Sequence, residues 1–157
     1  MAFRRAKIKE QFDAAIPGVL EPGERVQAGT FTQSGPSPWL AGLVGWIVML
    51  IAGARYYYVA VTDRRVLFMK ASMLTGRPNG LAWADPRGAA QVSDVNLTNA
   101  VWSKLRYRRP EGKELRLNIH RFWREDGQAV VDALTASVQT PGGATVPPPP
   151  QAGQSQP

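Results

Sequence analysis

The 157-residue chain has no cysteine and a single histidine, His120. The first absence excludes disulfides and thiolate metal sites. The second excludes a multi-histidine metal centre within one chain. The glycine-rich and His- or Ser-centred signatures of phosphate binding, metalloproteolysis and acyl transfer are missing as well. The reading is therefore of a non-enzymatic protein, with no catalytic residue, metal or cofactor assigned. The basic start, Met1 to Glu10, is not followed by an apolar run of the kind a secretory leader needs. The chain is therefore expected in the cytoplasm, or on the inner face of the cell membrane. Negative charge is also in short supply. Nineteen Lys and Arg stand against twelve Asp and Glu, a formal net charge of +7, which favours polyanionic partners such as nucleic acid or an anionic lipid surface.

What is present centres on Tyr56-Tyr-Tyr-Val-Ala-Val-Thr-Asp-Arg-Arg-Val-Leu-Phe-Met-Lys70. Tyr, Val, Thr and Phe suit a packed, pleated surface. The run breaks once, at Thr62–Arg65, where Thr and Asp can bond nearby backbone N–H groups and close a turn. A β-hairpin is predicted, with strands over about 56–62 and 65–71. Tyr57, Val59 and Val61 fall on one face and Tyr56, Tyr58 and Ala60 on the other. Neither face is polar, so another element must lie over the second one.

This hairpin, following Leu20-Glu-Pro-Gly-Glu-Arg-Val-Gln-Ala-Gly29 and an apolar stretch, resembles the bacterial pleckstrin-homology-like (PH-like) domains. The resemblance covers roughly residues 20–138. It implies a mainly β fold, a bent seven-stranded barrel closed by a C-terminal helix. It implies no defined activity. Phosphoinositide-binding members of the wider PH group carry basic residues in the first inter-strand loop. Here an apolar stretch stands in that place, so that mode of recognition is not carried over.

The domain reading is an N-terminal amphipathic helix in 1–19, a PH-like domain in 20–139 with an apolar insertion at 39–54, and a Pro-rich tail at 140–157 whose composition predicts disorder. In the first part, Ile8, Phe12 and Ile16 recur at helical spacing. Arg4, Arg5, Lys7 and Lys9 crowd the first half of that helix, and Pro17-Gly18 ends it. Such a helix either lies on a membrane or covers the second face of the hairpin. Further strands are predicted over 24–33, 81–84 and 91–97, the last with a possible bulge. A second hairpin is predicted over 101–109 and 114–120, and a closing helix over 123–138. Turn chemistry marks 76–80, and Asp85 and Asp94 read as loop caps. Glu125 and Asp126 stand at a helix start, where negative charge is favoured.

Two surfaces are candidates for binding. Residues 39–54 contain no ionisable group. As a straight helix they would reach about 24 Å, short of a hydrocarbon core about 30 Å thick. If the strands on either side are antiparallel neighbours, the segment must leave and return on one side. It then either dips into one leaflet through Trp39, Leu40, Leu43, Trp46, Ile47 and Leu50, or packs as core. The second surface is cationic: Arg4 and Arg5 on the helix, and Lys104, Arg106, Arg108 and Arg116 on the polar face of the second hairpin, for anionic head groups. His120 falls on the same hairpin face. The expectation is a membrane-associated binding or scaffold module for anionic lipids, with an unidentified protein partner in view. The alternative is a soluble nucleic-acid-binding or protein-interaction domain with the apolar stretch buried.

Overall fold

The computed structural model describes residues 2–35, 53–72, 75–97 and 101–138. The membrane-contact residues Trp39, Leu40, Leu43, Trp46, Ile47 and Leu50, and the tail from 140 onward, lie outside the described residues. Helix α1 runs over Ala2–Ala15 and ends in a single 3-10 turn, Ile16–Gly18, with Pro17 in its first turn. Seven strands follow: β1 Val26–Ser34, β2 Arg55–Thr62, β3 Arg65–Ala71, β4 Pro78–Pro86, β5 Gln91–Asn96, β6 Trp102–Arg108 and β7 Glu114–His120. Helix α2, Arg124–Val138, closes the described chain.

The fold is mainly β: one sheet of seven antiparallel strands in the order β4-β3-β2-β1-β7-β6-β5. Two meanders, β1–β4 and β5–β7, meet where β1 pairs with β7. That junction consists of two residue pairs, Gln33↔Asn118 and Ser34↔Leu117. Beyond it the strands splay apart and α2 enters the wedge. There the Thr30 hydroxyl donates to the Trp123 carbonyl at 3.3 Å. Gly127 comes so close that a Cβ would meet Ile119 Cδ1 at 2.9 Å.

The expected closed barrel is instead an open sheet, because β4 and β5 share no backbone ladder among the described residues. Side chains span the gap. Asp85, buried on β4, accepts from the Tyr107 hydroxyl at 3.0 Å and takes a forked pair of contacts from Arg109. Arg109 also lies over the Trp83 ring, 4.9 Å from its centroid. Asp85 is thus no loop cap. It is a buried carboxylate with its charge met, the condition under which burial is tolerated.

The inner face of the sheet carries Val59, Val61, Phe68, Leu105, Tyr107 and Ile119, all buried, with Val130, Val131 and Leu134 of α2 against them. The outer face of the first hairpin is covered by α1. Phe12 stacks on Tyr58 at 4.4 Å and meets Phe31 edge-on at 6.4 Å. The helix is therefore the cover that the two apolar hairpin faces required.

The Thr62–Arg65 turn works somewhat differently from the sequence expectation. Thr62 Oγ1 accepts from the N–H groups of Arg64 (3.2 Å) and Arg65 (2.8 Å), as a turn-closing Thr should. Asp63 turns away and accepts from the Arg25 N–H at 2.9 Å. Arg65 and Thr62 both bond Glu24, whose side chain is fully buried. The Arg65 contacts hold the Glu24 carboxyl far down, at about 2 against an ordinary 4.5, overcoming the opposing push of burial.

Strand β4 runs from Pro78, so the predicted turn at 76–80 is half strand. Proline is admissible there because β4 is an edge strand. The irregularity foreseen in β5 is present between Ser93 and Asn96, with Asp94 at φ 49°.

Candidate functional site

Register places the cationic residues on the sheet. Directly opposed residues of antiparallel strands share a face. Trp102 opposes His120, Lys104 opposes Asn118, Arg106 opposes Arg116 and Arg108 opposes Glu114. The row through Lys104 and Asn118 continues to Gln33 on β1 and Tyr56 on β2. The outer face of the whole sheet is therefore one surface, cationic over β6 and β7 and turning polar then aromatic towards α1.

Four of the six expected cations meet on this face: Lys104, Arg106, Arg108 and Arg116, all exposed. Two of the four are neutralised. Arg106 pairs with Asp94 at 2.8 Å and with Glu114 at 3.2 Å, and Arg108 pairs with Glu114 at 2.9 Å. Arg108 and then Arg106 hold the Glu114 carboxyl below its ordinary range. Lys104 and Arg116 have no such partner among the described residues.

Arg5 is not part of this cluster. It bonds Asp126 at 2.6 Å, approaches Glu125 at 3.9 Å, and sits 5.6 Å from the Trp123 ring centroid. It ties α1 to the start of α2. The side chain of Arg4 lies outside what is described.

The described residues that flank the apolar segment lie beside this face. Ser34 pairs with both Arg55 and Leu117. Gly35, at φ +124°, approaches Ala54 so closely that a Cβ would lie 3.3 Å from the Ala54 Cα. Gly35 and Ala54, the described residues nearest the segment on its two sides, are thus side by side, next to Arg116. Among the described residues no helix is long and apolar enough to cross a membrane, and no group of His, Cys, Asp or Glu could hold a metal ion.

Where β1 and β7 diverge, the outer face sinks into a cavity of about 300 Å³ between α1, β1, β7 and the turn after β3. Phe31, Tyr56, Trp102, Phe122 and Trp123 form much of its wall, with Gln33, Asn118 and His120 among them. Asn118 is buried and donates to the carbonyls of Gln33 (3.3 Å) and Gly35 (3.4 Å), pinning the last pair before the splay. His120 was expected on an open strand face. It is half-buried instead, edge-on to Trp102 at 4.9 Å. Burial, aided by Arg121, keeps its pKa below 6.5. Sequence reasoning missed Gln33 and Asn118 as cavity residues, and Asp94 and Glu114 as counter-charges. The one available signal was parity: Trp102 alternates in step with Lys104 and Arg106, so an aromatic was bound to sit beside the charges.

These features define a mainly β protein with an open antiparallel sheet, a C-terminal helix in its wedge, and a mixed cationic and aromatic outer face. No protein-family model matches the chain, and no curated protein matches it. Among solved structures it is similar to one titled Vav1 inhibited by an allosteric inhibitor. The identity is 12% over 73% of this chain and 26% of that chain, with a TM-score of 0.47. The chain thus spans about a quarter of the length of that protein, and likeness at this level carries nothing about activity.

Proposed function

We propose that this chain is a PH-like, non-enzymatic binding module that meets an anionic membrane surface on the cytoplasmic side. Lys104 and Arg116, without an acidic partner among the described residues, supply the attraction on the outer face, with Arg106 and Arg108 beside them. The apolar segment 39–54 enters one leaflet next to them. The observation that carries the reading is the adjacency at Ser34. Gly35 and Ala54, the described residues on either side of 36–52, a stretch without ionisable groups, lie together there, beside a face whose Lys104 and Arg116 have no acidic partner among the described residues. One side of the molecule thus offers both terms of interfacial binding, apolar insertion and charge attraction. The unidentified protein partner is part of the same proposal, as the cargo such a module would hold at the surface.

Sedimentation with vesicles of neutral lipid, and of neutral lipid mixed with anionic lipid, tests this. Each basic residue near the surface contributes about 1 kcal/mol. Lys104→Gln with Arg116→Gln should therefore weaken binding to anionic vesicles about thirtyfold. Leu43→Ser, Ile47→Ser and Leu50→Ser together should release the protein while it stays folded. Binding to nucleic acid at 200 mM salt, with none to anionic vesicles, would replace this reading with the nucleic-acid one.

A further inference from the structure

The cavity at the splay is bounded by two banks of aromatic rings. Phe31 and Tyr56, on β1 and β2, stack with their centroids 5.9 Å apart. Trp102 and His120, on β6 and β7, meet edge-on at 4.9 Å, and the Phe122 ring lies 4.7 Å from His120. Trp123 is nearly buried, 5.7 Å from Phe31. The other five rings keep some access to solvent, and Phe122 is 37% exposed. Rings gathered at the mouth of an open cavity mark a binding groove. Arg5, the one cation on the wall among the described residues, is already paired with Asp126 at 2.6 Å. The groove therefore does not call for an anion, and an uncharged occupant suits it.

The chain carries such an occupant. Residues 139–157 contain no ionisable side chain and include Pro147-Pro-Pro-Pro150. A proline run is preset to polyproline II and has little entropy left to lose, and aromatic-lined grooves are its usual receptors. Proline has no backbone N–H, so the run brings no donor that would need an acceptor among these rings. Its carbonyls can face the open mouth and stay in water. Length permits the return. α2 starts at Arg124, next to Trp123 on the cavity wall, and runs for 15 residues, or about 22 Å. The nine residues 139–147 span up to about 30 Å. From the end of α2, the run can therefore reach back to its start. A link this short holds the run near the cavity at an effective concentration on the order of 1 mM. We propose that residues 146–151 dock in the cavity of their own chain, with the prolines packed between the Phe31 and Tyr56 rings on one side and the Trp102 and Phe122 rings on the other. The contact is independent of the membrane reading.

The chain has no cysteine, so a spin label on Ala152→Cys of the full chain stands alone, and NMR follows the backbone and indole N–H signals. Signals of Phe31, Tyr56 and Trp102 should broaden. Those of Gly112, in the turn at the opposite end of the β6–β7 hairpin from Trp102, should not. Pro147→Ser, Pro148→Ser, Pro149→Ser and Pro150→Ser together should abolish the broadening and leave the fold intact. Phe122→Ala, at a ring already in solvent, should weaken it. A peptide of residues 146–151 added to the serine variant should shift the same signals with a Kd of about 1 mM or tighter, because a weaker site would stand mostly empty at that effective concentration. The chain with its own prolines should bind the peptide at least about twofold more weakly, since the tail competes. Equal broadening at Gly112 and Trp102, broadening that survives the serine substitutions, or a peptide Kd well above 1 mM overturns the proposal. Broadening in unlabelled chains mixed with labelled ones would give the groove to the tail of a second copy, and overturns it too. Because the label and the peptide read an unaltered cavity, misfolding of Phe122→Ala does not protect the proposal.

Discussion

Glu24 shows how a single side chain can anchor a turn. Its carboxylate receives Arg65 through Nε at 3.0 Å and Nη2 at 2.5 Å, and the Thr62 hydroxyl at 2.7 Å. A carboxyl held at about 2 when folded and 4.5 otherwise binds more protons unfolded than folded between those values. Its contribution is therefore complete above pH 4.5 and is lost as pH falls towards 2. The shift corresponds to on the order of 3 kcal/mol. Glu24→Gln should cost about that at neutral pH, and the gap to the unaltered protein should close on acidification. Urea unfolding at a series of pH values measures both. A gap that stays constant with pH would mean that the pair contributes by shape alone. Tyr107→Phe is a milder case: the hydroxyl bond to Asp85 is lost while Arg109 still meets the carboxylate, and about 1 kcal/mol is expected. Asp85→Ala should cost several times more, because it leaves the largely buried Arg109 without its main counter-charge.

At the scale of elements, close backbone approach decides where α1 can dock. A Cβ on Gly29 would lie 2.6 Å from Tyr58 Oη and 2.8 Å from its Cε1. That ring cannot swing aside, because Phe12 stacks on it and Trp123 meets it edge-on at 6.4 Å. Gly29→Ala should therefore destabilise by about 1–3 kcal/mol, against the usual gain from removing a strand glycine. Phe12→Ala should cost about 3–5 kcal/mol and leave Tyr58 uncovered, which thermal unfolding and tyrosine fluorescence would report. The hairpins and α1 were legible in the sequence because local alternation states them. β2 and β3 are apolar on both faces, and β6 and β7 alternate cleanly. Asp85 and Gln33 were not legible. A polar residue in a strand reads as exposed until its partner is known, and their surroundings come from distant strands. The cavity was invisible for the same reason: it arises from the divergence of β1 and β7, whose contacting residues Gln33 and Asn118 lie 85 positions apart.

For the molecule as a whole, α2 does work that a closed ladder would otherwise do. Trp123 before it, and Val130, Val131 and Leu134 on it, are at most 8% exposed. At about 1.5–3 kcal/mol for each buried side chain, their removal approaches the roughly 5–15 kcal/mol of a typical domain. A chain ending at residue 122 should therefore fail to fold, giving collapsed amide dispersion in NMR; a folded truncation would show that the two meanders hold each other unaided. The position of β1 at the centre of the sheet also has a consequence for synthesis. Its partner β2 follows soon after it, but β7 lies close to the end of the described chain. At about 5–20 residues per second, the 85 positions between Gln33 and Asn118 take on the order of 4–17 s. Through that interval the nascent first meander presents the bare edge of β1 to whatever waits at the ribosome exit. This protein is therefore expected to depend on a chaperone early, and a ribosome stalled before Glu114 should yield a chain that protease cuts where the finished protein resists.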